Sequence, residues 1–113
     1  MSQTYYGQLR IGDFPRRDAL VGFIRACHYD GIRGRQEELF CQIWPDQEEA
    51  LSDLVDEYGG QFLGDFEVIE EHGKFIDIGF ESRSPDDVEA LEAFVALLQE
   101  IGIPVEYQRG AVR

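Results

Sequence analysis

The side chains best equipped for covalent or metal chemistry are few in this 113-residue chain: His28, His72, Cys27 and Cys41. Cys27 and His28 are adjacent within a stretch of helical periodicity, where neighbours point about 100° apart. They are poorly placed to face one substrate as nucleophile and base. His72 stands beside Gly73 between two strand-like runs and is expected in solvent. No Cys-x-x-Cys, His-x-x-x-His or mixed Cys/His spacing occurs, so no metal site is expected. Gly59-Gly60 and Gly64 follow a helix rather than open one, unlike a phosphate-binding loop. The adjacent carboxylates Glu48-Glu49, Glu70-Glu71 and Asp86-Asp87 lie in polar stretches, with no apolar pocket to raise a pKa. These residues imply no catalytic group, no metal and no cofactor, and the expectation is a binding module rather than an enzyme.

Charge is the more telling feature. The chain carries 10 basic and 23 acidic residues, a formal charge of −13. Residues 1–36 hold Arg10, Arg16, Arg17, Arg25, Arg33 and Arg35 against Asp13, Asp18 and Asp30, so this part is basic. Everything after residue 36 is strongly acidic, with Lys74, Arg83, Arg109 and Arg113 its only cations. Such a surface repels nucleic-acid phosphates and anionic membranes at long range and steers toward basic surfaces. No run of 18 apolar residues is present, and the first residues lack the apolar segment and cleavage site of a signal peptide. Cys27 and Cys41 sit inside apolar patterns and read as reduced, buried small hydrophobes, in keeping with a cytoplasmic protein.

The elements that would position these charges follow from periodicity. Over residues 4–11, Tyr5, Gly7, Leu9 and Ile11 alternate with Tyr6, Gln8 and Arg10, as in a strand with one buried face. Pro15 opens a helix on which Ala19, Leu20, Phe23, Ile24 and Cys27 share a face, and Gly31 and Gly34 end it. Residues 38–44 read as a strand, with Leu39, Cys41 and Ile43 inward and Phe40, Gln42 and Trp44 outward. Asp46, with Glu49 three residues on, suggests a capped second helix that buries Leu51 and Leu54 and ends at Gly59-Gly60. Residues 66–71 and 75–81 suggest a hairpin. A three-residue connection, His72-Gly73-Lys74, would let Phe66 and Val68 share the core with Ile76, Ile78 and Phe80. Ser84, Pro85 and Asp87 start a third helix, buried through Val88, Leu91, Phe94, Val95, Leu98 and Ile101. Gly102 and Pro104 stop it before a final strand at residues 105–107, and residues 108–113 read as a tail.

From residue 38 the order is strand, helix, strand, strand, helix, strand. This predicts an α+β domain with a ferredoxin-like antiparallel sheet over about residues 37–108. The basic strand and helix of residues 1–36 are then an extension, which either lengthens the sheet at one edge or lies over its open face. The run from Leu39 to Pro45, the helix ending Glu57-Tyr58-Gly59, and the run from Gly73 to Phe80 resemble the RNA-recognition-motif family over about residues 38–108. In that family aromatic residues on the open sheet face stack on bases, a position the resemblance assigns to Phe40 and Phe75. Asp77 and Gly73 depart from the pattern, standing where an aromatic and a basic residue are expected.

Two sets of residues are candidates for function. Phe40, Trp44 and Phe75 form an aromatic patch expected on the sheet face away from the helices, to be covered by the N-terminal segment or by a second copy of the chain. Glu48, Asp53, Asp56, Glu57, Glu67, Glu70, Glu71, Asp86, Glu89 and Glu92 form an acidic row along two helices and the hairpin. Displayed together, they would imitate a nucleic-acid backbone and occupy a basic groove on a nuclease or other nucleic-acid-handling protein. Inhibitors of bacterial defence systems (anti-CRISPR and antirestriction proteins) and the immunity proteins of nuclease toxins are similar in size and charge. The alternatives are a dimeric regulatory or small-ligand-binding domain, and a degenerate RNA-binding domain whose basic face comes from the N-terminal arginines.

Overall fold

The alternation of residues 4–11 does form a strand, β1 (Tyr5–Gly12), whose Gly7, Leu9 and Ile11 are buried while Gln8 and Arg10 are exposed. The computed structural model describes residues 4–29, 36–59 and 61–110 of an α+β chain. After β1 come α1 (Arg17–Tyr29), α2 (Gln36–Ile43), a 3₁₀ turn at Pro45–Gln47, α3 (Glu48–Tyr58) and a second 3₁₀ turn at Gln61–Asp65. The chain continues as β2 (Phe66–Glu71), β3 (Phe75–Ser82), α4 (Pro85–Ile101) and β4 (Val105–Arg109). The sheet has the order β2-β3-β1-β4, and every neighbouring pair is antiparallel. β1 therefore lies inside the sheet and is neither an edge addition nor a cover. Leu9 and Ile11 are the reason: opposite Ile78 and Ile76 on one side and Tyr107 and Val105 on the other, they are fully buried.

The expected strand at residues 38–44 is a correction, since Gln36–Ile43 is helical and the Trp44 N–H extends the ladder to the Phe40 carbonyl at 2.9 Å. Leu39, Phe40, Ile43 and Trp44 also satisfy a three- and four-residue spacing, which the alternation of Leu39, Cys41 and Ile43 masks. Packing decides between them. Phe40 is fully buried among Phe23 at 5.4 Å, Trp44 at 4.9 Å and Phe94 at 6.0 Å between ring centroids. That cluster joins α1, α2 and α4, and Phe62 adds a ring 5.8 Å from Phe94. Phe40 and Trp44 are thus core residues, not open-face aromatics. The family-like run at residues 39–44 accordingly falls on a helix, while the run at residues 73–80 falls on β3 and the turn before it. The glycines expected to end α1, Gly31 and Gly34, and Gly60 lie outside the described residues.

Helices α1 and α4 pack on the sheet, α3 packs on α4, and α2 bridges α1 and α3. The turn containing Phe62 and Leu63, both fully buried, lies between α1 and α4. Asp46 does not cap α3, which begins at Glu48 after the 3₁₀ turn, with Gln47 at the cap position. β4 extends through Gln108 and Arg109, beyond its expected end at Tyr107.

The β2–β3 hairpin differs from expectation by one residue. Gly73 has the positive φ of 81° expected of it, but Ile69, not Val68, stands opposite Ile78. The His72 N–H donates to the Phe75 carbonyl at 2.9 Å, so the turn is tighter than three residues. An irregularity between Phe66 and Ile69 takes up the slip and returns Phe66 to a place opposite Phe80. One consequence is that Glu70 is brought opposite Asp77.

At the other end of the fold, Gly102 closes α4 in the left-handed region at φ 98°, its N–H donating to the carbonyls of Gln99 and Leu98. A Cβ there meets no neighbour, so the cost of one is purely conformational. Gly102→Ala is expected to lower stability by about 1 kcal/mol in urea denaturation. An unchanged midpoint would contradict this reading of the cap.

Candidate functional site

The acidic candidates divide between two layers. Glu48, Asp53, Asp56 and Glu57 lie on α3 and Asp86, Glu89 and Glu92 on α4, so the packing of these helices brings seven of them to one layer. Glu48, Asp53, Asp56, Glu57, Asp86 and Glu89 are exposed and Glu92 is half-buried. Leu51 and Leu54 of α3, and Val88, Leu91 and Phe94 of α4, turn inward and force the acids outward. Neither helix, nor α2, contains a lysine or arginine. Glu67, Glu70 and Glu71 belong to β2 in the sheet layer, and the Glu67 side chain lies outside the described ones.

Where the arginines of the first 36 residues go decides how much of this charge is displayed. Arg10 pairs with Asp77 at 2.9 Å, Arg25 with Glu71 at 3.9 Å and Arg17 with Asp13 at 3.7 Å. Arg16 and Arg17 also donate to the carbonyls of Ile43 and Gly73. These cations therefore serve the hairpin, their own helix start and the end of α2. Among the described residues Asp53, Asp56, Glu57, Asp86 and Glu89 have no ion-pair partner, while Glu92 is held by Arg109 at 3.3 Å and accepts from the Tyr107 hydroxyl at 3.0 Å. Burial, then that bond to Glu92, pushes the Tyr107 phenol up to about 12.

A second constellation, on the open face of the sheet, is one that sequence reasoning missed. The Arg10 guanidinium makes two hydrogen bonds to Asp77, at 2.9 and 3.1 Å, and lies 4.0 Å over the Phe75 ring. His72 stacks beside that ring at 4.8 Å, and its Nε2 is 3.5 Å from both Asp77 and Glu70. Phe75 does lie on β3 as expected, but Arg10 and His72 cover it, so it is no free aromatic patch. The signal was Asp77, a carboxylate in an otherwise apolar strand, opposite the polar position Arg10 on β1.

The bond from Arg10 holds the Asp77 carboxyl below its ordinary range, against the opposing effect of burial. A carboxyl depressed in the folded state adds stability above the ordinary carboxylate range, and this is lost as pH falls through the folded value. Asp77→Asn is therefore expected to flatten the acid limb of stability from the ordinary carboxylate range, about pH 4, downward. Thermal melts across that range check it, and a limb parallel to wild type would refute it.

The remaining groups carry no comparable geometry. Both cysteines are free, and burial pushes the Cys27 thiol up to about 12. Among the described residues no three His, Cys, Asp or Glu side chains gather as a metal site, and no helix is long and apolar enough to cross a membrane. No protein-family model, curated protein or solved structure matches the chain.

Proposed function

We propose that this chain is a non-enzymatic protein-binding module whose α3–α4 face docks on the basic surface of a nucleic-acid-handling protein, as an inhibitor or decoy does. The observation that carries the reading is the acidity of the packed helices α3 and α4: among the described residues Asp53, Asp56, Glu57, Asp86 and Glu89 have no ion-pair partner, while Arg10, Arg16, Arg17 and Arg25 are engaged elsewhere. The spacing supports it. α3 is 11 residues long, roughly 16 Å, and presents Glu48, Glu49, Asp53, Asp56 and Glu57, about one charge per 3 Å. One strand of DNA carries a charge about every 3.4 Å. A cleft built for phosphates can accept such a helix without rearranging its cations.

We read the fold as ferredoxin-like, with β1 and β2 flanking β3, and β3 and β4 flanking β1. In this reading the segment from α1 to α3 replaces the single first helix of that arrangement, and α3 adds its acids to those of α4. The test is affinity capture from the source cell at low and high salt, with mass spectrometry of the retained proteins. Retention of a basic nucleic-acid-binding protein at low salt and its loss at high salt is expected. Retention only of proteins indifferent to salt would overturn the proposal.

A further inference from the structure

The sheet layer holds a feature that the docking face leaves unused. On β1 and β4, Arg10 stands directly opposite Glu106, and Gln8 opposite Gln108. A cation and a carboxylate so placed would ordinarily join. Here Arg10 instead turns to Asp77, its opposite on β3, which fixes Nε and Nη2, and its plane rests on Phe75. Glu106 is exposed and makes no ion pair among the described residues. The gap is an open depression of about 370 Å³ lined by Gln8, Arg10, Glu106, Tyr107 and Gln108.

We propose that this depression binds the zwitterionic head of a free α-amino acid. Nη1 of Arg10, which makes no hydrogen bond among the described residues, donates to the ligand carboxylate, and an amide N–H of Gln8 or Gln108 adds a second bond. Glu106 accepts from the ligand ammonium. Charge complementarity selects the class: a lone carboxylate or phosphate meets Glu106, a lone ammonium meets Arg10, and a molecule bearing both charges on one carbon satisfies the two. The clamp of Asp77 and Phe75 holds Arg10 before the ligand arrives, so little side-chain freedom remains to be lost.

Titration of the free L-amino acids, followed by the backbone amide resonances, tests this. Saturable shifts centred on Gln8, Arg10, Glu106 and Gln108 are expected for at least one of them. Its N-acetyl derivative, lacking the ammonium, and its carboxamide, lacking the carboxylate, should each bind about tenfold or more weakly. Glu106→Gln, an exposed change on an edge strand, should weaken the free amino acid to a similar degree and relieve the penalty on the N-acetyl form. Absence of shifts with every amino acid would overturn the proposal, as would equal affinity for parent and derivatives or for wild type and Glu106→Gln. The docking proposal is separable, because neutralising α3 should leave this titration unchanged.

Discussion

Phe40→Ala lowers the unfolding free energy by about 3–5 kcal/mol, a large share of what a domain of this size possesses. The ring is fully buried and touches Phe23, Trp44 and Phe94, so its loss leaves a void where three helices meet. The cavity is lined by rigid rings on separate elements, which collapse poorly. On an open sheet face the same truncation would cost less than about 1 kcal/mol. Urea denaturation of the variant thus separates the helical core position from the exposed one. A small change would contradict the placement of α2.

The second large effect concerns binding. Neutralising α3 and α4 together through Asp53→Asn, Asp56→Asn, Glu57→Gln and Glu89→Gln should weaken the basic partner about 30-fold at low ionic strength. The loss should fall mainly on the association rate and shrink as salt is added. Stability should rise at the same time, because the chain bears −13 and Glu57 lies in the last turn of α3, where a negative charge opposes the helix dipole. Calorimetry of the variant and its binding kinetics check both halves. A variant that binds as well as wild type would remove α3 and α4 from the interface.

Much of this architecture was legible in the residues. The alternation in β1, the wide apolar face of α4, its glycine stop and the positive φ of Gly73 each followed from local chemistry. Three things did not. Residues 38–44 satisfy both a two-residue and a helical period, and only the rings of Phe23 and Phe94, distant in sequence, settle the choice. The place of β1 inside the sheet depends on long-range pairing with β3 and β4, to which periodicity is blind. The hairpin register rests on an irregularity between Phe66 and Ile69 that no turn residue announces. Among the candidate residues, the outward acids of α3 and α4 were readable because Leu51, Leu54, Val88 and Leu91 fix the inward faces. The Arg10–Asp77 clamp was not, since it joins residues 67 apart in sequence.

Competition with nucleic acid addresses the central claim most directly. A labelled oligonucleotide bound to the captured partner should be displaced as this chain is added, with displacement lost for the variant neutralised on α3 and α4. A stable ternary complex, in which the partner holds the oligonucleotide with undiminished affinity while bound to this chain, would contradict the account.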